Sequence, residues 1–104
     1  MISTHILDTS HGIPASGIQV RLELKKGNEW VAQKSGITNP DGRFAFDCKC
    51  RVGIYQIVFE IENYFKDDSF FMNTAVVFKI EDLGRKYHVP LLLSPFGYST
   101  YRGS

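Results

Sequence analysis

Two histidines stand in stretches of this sequence that otherwise carry little charge. His5 lies within ISTHILD and His88 within YHVPLLL, and both have mostly uncharged neighbours. Imidazole is the side chain best suited to proton transfer near neutral pH. The two histidines are therefore candidates for an acid–base pair. The alternative for each is a core or interface histidine bonded to a backbone carbonyl.

Two arginines could hold an anion beside such a pair. Arg43 directly follows the turn sequence PDG, and Arg102 lies in an otherwise uncharged stretch that closes with Ser104. A guanidinium offers a planar fork of N–H donors that matches paired oxygens. The alternatives are a solvated turn arginine at position 43 and an ion pair with the terminal carboxylate at position 102.

The closing residues 87–104 are apolar and aromatic, and read YHVPLLLSPFGYSTYRGS. Chain ends are usually polar and frayed. We therefore expect this stretch to form a packed pair of strands, with its last four residues held in place as part of a site.

Apolar and polar residues alternate with a period of two along most of the chain, which is typical of strands with one buried face. Alternating segments lie at 18–25, 55–61, 76–81, 87–94 and 98–102 after a first strand that opens the chain, with Gly- and Pro-containing turns between the strands. We expect residues 40–42 to form a tight hairpin. Residues 62–68 break the pattern and predict either one short helix or a wide loop. Together these features predict an all-β fold: a two-sheet antiparallel β-sandwich of about eight strands, in a single domain spanning 1–104.

Two of these strands lack a clearly polar face. Ser3, His5 and Leu7 share one face of the first strand, and Pro90 and Leu92 lie beside His88 in the 87–94 strand. The outer face of an antiparallel sheet is normally polar. We therefore expect this second face to pack against another subunit.

The composition argues against several classes of partner. Twelve basic and eleven acidic residues give a net charge of +1, which gives no reason to expect nucleic acid. No apolar run approaches the ~20 residues of a membrane helix, and no secretory signal is expected. Cys48 and Cys50 are expected to be reduced thiols, because a bond across a single residue is strained. We therefore expect a cytoplasmic protein.

Two common hydrolytic designs find no support in the sequence. A G-x-S-x-G nucleophile elbow is absent. No H-E-x-x-H or similar spacing appears, and two thiols are too few for a structural zinc site. We expect neither a metal nor another cofactor.

The opening ISTHILDTSHG, the segment HVPLLLSPFGYST and the closing YRGS together resemble the transthyretin-related 5-hydroxyisourate hydrolase family over essentially the whole chain. The closing tetrapeptide is the most specific part, because the hormone carrier transthyretin shares the scaffold but not that ending. The resemblance implies a transthyretin-like sandwich of two four-stranded sheets and one short helix. It also implies a homotetramer, a dimer of dimers, with active sites in a channel between the dimers.

The same resemblance implies hydrolysis of 5-hydroxyisourate, a small, planar, oxygen-rich ring, in the urate degradation pathway. The implied catalytic residues are His5, Arg43 and His88. Contacts with the substrate are implied for His5, Arg43, Tyr101, Arg102 and Ser104. His11 matches no functional position, and we expect it to be exposed in a loop. Which histidine acts as the base and which as the acid stays open.

The rival interpretation is a non-catalytic transthyretin-like module that binds a ligand or a protein. The segments GIPASGIQVRL, NPDGRFAF and GIYQIVFE suit the backbone of such a module equally well. The distinguishing features are His5, His88 and the closing YRGS, for which a binding module has no use.

Overall fold

The chain folds into nine strands and one short helix in a computed structural model, which describes residues 1–103. In chain order the elements are β1 (Ile2–Asp8), β2 (Ile13–Pro14), β3 (Gln19–Lys26), β4 (Glu29–Ile37), β5 (Arg43–Phe46), β6 (Gly53–Glu60), a 3₁₀ helix (Lys66–Asp68), β7 (Asn73–Ile80), β8 (Tyr87–Ser94) and β9 (Gly97–Thr100). Within the described residues, no helix has the length and apolar character needed to cross a membrane.

The strands form two sheets that pack face to face. One is a four-stranded antiparallel sheet in the order β4-β3-β6-β7. The other has five strands in the order β2-β1-β8-β9, with β5 also paired to β1. The predicted two-sheet β-sandwich is confirmed. Its one departure from antiparallel order is the pairing of β1 with β8, which is parallel.

Alternate side chains of both sheets fill the space between them, as the period-two pattern predicts. Ile2 and Ile6 of β1 and Leu91 and Leu93 of β8 are completely buried at 0% exposure. Burial of each such side chain contributes about 1.5–3 kcal/mol relative to exposure. These residues therefore fix which face of β1 and β8 turns inward and which turns outward.

The tight turn before Arg43 joins the two sheets. Asn39 and Gly42 form the turn, in which the Gly42 N–H donates to the Asn39 carbonyl at 2.8 Å. The Asn39 Oδ1 atom accepts from the N–H groups of Asp41 at 3.0 Å and Arg43 at 2.9 Å. The preceding β4 pairs with β3, whereas the following β5 pairs with β1 in the other sheet. The tight chain reversal predicted at 40–42 is therefore present, and the Asn39 N–H also donates to the Arg43 carbonyl at 3.0 Å. The strands on either side of it pair in different sheets, because turn residues specify a chain reversal but not the strand that pairs afterwards.

Asp8, at the end of β1, is a buried carboxylate with five hydrogen bonds. Its Oδ1 atom accepts from the Ser10 N–H at 3.0 Å, the Ser10 hydroxyl at 2.6 Å and the His11 N–H at 3.1 Å. Its Oδ2 atom lies 2.8 Å from His11 Nδ1 and accepts from the Tyr64 hydroxyl at 2.9 Å. Burial raises the pKa of this carboxyl, but the hydrogen bonds outweigh burial and lower it to about 2. The bonds tie the loop after β1 to the 62–68 segment, which contains a turn and the 3₁₀ helix.

His11 was expected to be exposed in a loop, and its side chain is 67% exposed in the loop after β1. Of the two alternatives for residues 62–68, the short helix is present, as a single 3₁₀ turn. The core beside it includes Phe65, which is buried.

We predict that Asp8→Asn lowers the free energy of unfolding by about 1–3 kcal/mol, because an amide cannot accept all five hydrogen bonds. The folded-state pKa lies near 2, below the ordinary value of 3.8. The ionised carboxyl therefore stabilises the fold above about pH 4, and this contribution is lost as the pH falls towards 2. Urea unfolding at a series of pH values checks the effect. Asp47→Asn, at an exposed position, is the control. An Asp8→Asn protein with the same acid dependence as the wild type would contradict the prediction.

Candidate active site

Three polar side chains meet on the outer face of the five-stranded sheet. His5 of β1 lies between Arg43 of β5 and Pro90 of β8, while Ser3 lies beside His88. Paired residues on neighbouring antiparallel strands, such as His5 and Arg43, have Cβ atoms about 5 Å apart, and both residues are close enough to His88 for their charges to act on its ring. His5, Arg43 and His88 therefore form one cluster, although they come from three distant parts of the sequence.

The close approach of two backbones sets the position of Arg43. Gly42 has a φ of +74°, and a Cβ atom there would lie 2.5 Å from the Ile6 carbonyl oxygen. The Gly42 carbonyl accepts from the Ile6 N–H at 2.8 Å. Only glycine adopts this left-handed conformation without steric cost and also leaves room for the neighbouring strand. The turn thus holds Arg43 opposite His5.

The His88 ring is half-buried, and its Nδ1 atom lies 2.9 Å from the Ser3 hydroxyl oxygen. Burial lowers the pKa of His88, and the positive charges of Arg43 and His5 lower it further. The contact of the ring with Ser3 opposes these effects without reversing them. The ring is therefore biased towards its neutral form, which can accept a proton from water.

Residues 101–103 run alongside β8 and contact His88 directly. The Gly103 N–H donates to the His88 carbonyl at 2.8 Å, which continues the register between β8 and β9. A Cβ atom on Gly103 would lie 2.6 Å from His88 Cδ2, so the glycine leaves the space that the imidazole occupies. The same register sets Tyr101 opposite Pro90, on the outer face.

Arg102 turns the other way. The Arg102 guanidinium lies 5.7 Å from the centre of the Tyr87 ring. The Arg85 guanidinium lies 5.8 Å from the same ring centre. All three residues line a cavity of about 390 Å³ beside β7 and β8, which His88 and Tyr101 also line but His5 and Arg43 do not. The structure thus brings His5, Arg43, His88 and Tyr101 to one face and places the Arg102 guanidinium elsewhere. Ser104 lies outside the described residues.

Metal ligands do not gather in this region. Among the side chains that the structure describes, which exclude those of Asp67 and Ser104, no group of three or more His, Cys, Asp or Glu residues is arranged to hold a metal ion. Cys48 and Cys50 are free, with their Sγ atoms 3.9 Å apart. Burial and the neighbouring Cys50 raise the pKa of the Cys48 thiol to about 11, so this thiol is protonated at neutral pH.

A family model described as "HIUase/Transthyretin family" matches residues 2–103. The chain belongs to this family. It is 44% identical to the 5-hydroxyisourate hydrolase of Salmonella dublin, over 100% of this chain and 81% of that protein. The resemblance predicted from the sequence is thereby confirmed.

Two solved structures show the range of the HIUase/Transthyretin family. The 5-hydroxyisourate hydrolase of Klebsiella pneumoniae superposes with a TM-score of 0.85 at 35% identity, over 99% of this chain and 98% of that one. Sea bream transthyretin in complex with thyroxine superposes with a TM-score of 0.90 at 26% identity, over 98% of this chain and 93% of that one. The fold is therefore common to hydrolases and a thyroxine-binding protein, and only the side chains of the site can separate them.

Sequence reasoning missed two residues of the cluster. Ser3 was assigned to the same strand face as His5, but without a role, since its contact with His88 depends on the parallel pairing of β1 with β8. Gly103 was noted only as part of the closing tetrapeptide. The closing YRGS drew attention to this segment but did not indicate that its glycine packs against the imidazole.

We predict that Gly103→Ala displaces either the His88 ring or residues 101–103, because the new Cβ atom would lie 2.6 Å from His88 Cδ2, which is closer than van der Waals contact allows. Relief of such overlap typically costs about 1–3 kcal/mol. The ring ¹⁵N resonances of His88 should shift. Gly97→Ala is the matched control, since the nearest atom to its Cβ would be 4.0 Å away. Unchanged His88 resonances in Gly103→Ala would refute the predicted contact.

Proposed function

We propose that this protein hydrolyses 5-hydroxyisourate to 2-oxo-4-hydroxy-4-carboxy-5-ureidoimidazoline in urate degradation. The observation that carries the proposal is the cluster of two imidazoles and one guanidinium on one sheet face. The 44% identity of this chain to a 5-hydroxyisourate hydrolase supports the same assignment. A non-catalytic binding module would need the sandwich but would have no need for this cluster.

The reaction opens a cyclic amide. The oxygen of a water molecule bonds to the ring carbonyl carbon, the C–N bond then breaks, and the carbonyl carbon becomes a carboxyl group. A base must take a proton from the water, and an acid must give a proton to the departing nitrogen. A positive group must also stabilise the negative oxygen that develops on the carbonyl.

His5 and His88 supply the base and the acid in this proposal. Arg43 binds the oxygens of the substrate with its planar fork of donors and stabilises the developing oxyanion. Tyr101, on the same face, offers a hydroxyl to the ring of the substrate. These side chains provide every group that the reaction needs, so the proposal includes no cofactor.

The contacts expected between the substrate and Arg102 and Ser104 stay predictions. The guanidinium of Arg102 lies over Tyr87, and this position favours a role in supporting the segment that carries Tyr101.

Two free thiols, one of them with a raised pKa, support the proposed cytoplasmic location.

We further propose that the protein forms a homotetramer, a dimer of dimers, in which the cluster faces a second subunit. Leu7 and Leu92 are half-buried on the same outer face as the cluster. Elsewhere, Phe70 and Phe96 are 71% and 77% exposed. Apolar surface of this kind is typical of interaction sites. Cover by a second subunit would exclude water and strengthen the electrostatic interactions of the site.

We predict that His5→Ala, Arg43→Ala and His88→Ala each lower kcat/KM for 5-hydroxyisourate by about 10²–10⁴-fold, because each removes a group that acts in the transition state. Urate oxidised in situ provides the substrate, and the decay of its ultraviolet absorbance measures the rate. His11→Ala is the matched histidine control and should keep the wild-type rate. Three variants that match the wild type would refute the site, whereas a wild-type protein that fails to speed the decay would refute the activity.

The same assay at a series of pH values tests the state of His88. The imidazole is neutral above its pKa, and that pKa is lowered from its ordinary value of 6.5. If His88 must be neutral, kcat/KM falls on the acid side with a midpoint below 6.5. A midpoint above that value would contradict the proposed environment of the ring.

We predict a tetramer in sedimentation or light scattering at micromolar concentration. Leu92→Arg should dissociate it, because the substitution brings a charge to the covered outer face. Leu83→Arg, at an exposed position between β7 and β8, is the control. A monomeric wild-type protein would rule out the proposed assembly.

A further inference from the structure

We propose that the paired thiols of Cys48 and Cys50 bind one soft monovalent metal ion, Cu(I), between their sulfur atoms. The two cysteines lie in the connection between β5 and β6. Neither belongs to the cluster of His5, Arg43 and His88, so this site is separate from the proposed hydrolysis.

The distance between the two sulfur atoms suits a shared ion. The Sγ atoms of Cys48 and Cys50 lie 3.9 Å apart. A thiolate sulfur lies about 2.3 Å from a bound Zn²⁺ ion, so two sulfurs that share one ion of similar size are at most about 4.6 Å apart. A disulfide needs a separation of about 2.05 Å and would close a strained ring across Lys49. The thiols therefore face each other at a spacing that one ion can bridge.

Both ends of the loop that carries the thiols are fixed to buried aromatic residues. The Cys48 N–H donates at 3.0 Å to the carbonyl of Phe46, which is completely buried. On the other side of the pair, the Tyr55 hydroxyl accepts from the Arg51 N–H at 2.9 Å and donates to the Arg51 carbonyl at 2.8 Å. Tyr55 is itself buried. The thiols are therefore held together before an ion binds, which reduces the entropic cost of binding.

The number and type of the ligands select the ion. A structural Zn²⁺ site takes four protein ligands, and no third His, Cys, Asp or Glu of the described side chains completes such a group with this pair. Soft thiolate ligands select Cu(I), which forms stable complexes with only two thiolates. Both cysteines are half-buried, so the pair is shielded from bulk water and still accessible to an incoming ion.

The charges around the pair suit a complex that is itself negative. The Met1 ammonium and Lys34 of β4 act on Cys48 with positive charge. Along the chain the thiols have two basic neighbours and one acidic neighbour, which are Lys49, Arg51 and Asp47. One Cu(I) ion with two thiolates carries a net charge of −1. The basic groups around the loop therefore stabilise the complex.

Binding requires that the thiols lose their protons. Burial and the neighbouring Cys50 raise the pKa of Cys48 to about 11, and the Met1 ammonium and Lys34 oppose this only in part. Two copper–sulfur bonds form as each protonated thiol releases its proton to the solvent, and no electron is transferred. We therefore expect the affinity for Cu(I) to rise with pH.

The test is an anaerobic titration of the reduced protein with Cu(I) in competition with a chromophoric Cu(I) chelator. The wild type should take one Cu(I) per chain from the chelator, and should take it more completely at higher pH. Cys48→Ser and Cys50→Ser should each lower the affinity by more than about 100-fold, which exceeds the effect of changing an outer-shell residue. Met72→Leu removes an exposed sulfur elsewhere in the chain and should keep the wild-type affinity. A wild type that takes no Cu(I), or a serine variant that binds as tightly as the wild type, would overturn the inference.

X-ray absorption at the copper edge tests the geometry without any substitution. The copper-loaded wild type should show two sulfur neighbours, and native mass spectrometry should find one ion on each chain. Copper with only nitrogen or oxygen neighbours, or one ion shared between two chains, would contradict the site.

This inference and the proposed function can fail separately. Cys48 and Cys50 follow the end of β5, whereas Arg43 lies at its start. The two serine variants should therefore keep the wild-type rate of 5-hydroxyisourate hydrolysis. A protein that hydrolyses 5-hydroxyisourate but takes no Cu(I) would overturn this inference alone.

Discussion

The parallel pairing of β1 with β8 is the constraint on which the site depends. It sets Ser3 beside His88, two residues that are 85 positions apart in the sequence. On its other edge, β1 pairs with β5, and this second ladder sets His5 beside Arg43. Because successive side chains of a strand point to opposite faces, a shift of one residue would turn His5 into the core. The buried side chains on the inner face of β1 therefore hold the register of the polar cluster on the outer face.

The cluster has an electrostatic character that follows from its crowding. Arg43 is permanently charged, and each neighbouring imidazole would add a like charge if it were protonated. Burial and this repulsion lower the pKa of His88 and favour its neutral form, so one fixed positive charge stands beside a ring that can accept a proton. The fixed positive charge of Arg43 would attract the oxygens of an oxygen-rich substrate. A second subunit over the face would lower the local dielectric and strengthen both effects.

Much of the fold could be predicted from the sequence, because period-two alternation directly reflects one buried face. The strand at 87–94 has the predicted bounds, and those at 18–25 and 55–61 differ by one or two residues. The strand Glu29–Ile37 was missed, because it lies at the edge of its sheet and is mostly exposed. The parallel pairing and the connection at 40–42 were also out of reach, since they depend on long-range packing that local patterns do not encode.

The candidate site shows the same division between local and long-range information. The residue types and the family resemblance indicated His5, Arg43 and His88, and strand parity indicated that His88 faces away from the core and that His5 shares a face with Ser3 and Leu7. The contact between Ser3 and His88 and the direction of the Arg102 side chain could not be predicted. Each depends on the exact partner of one residue in a neighbouring strand, which the sequence does not specify.

A crystal structure with a planar, oxygen-rich purine analogue tests the central claim most directly. The account predicts that the analogue lies on the outer face of the five-stranded sheet, with its oxygens on Arg43 and its ring within hydrogen-bonding distance of His5 and His88. An analogue that contacts none of these three side chains would contradict it.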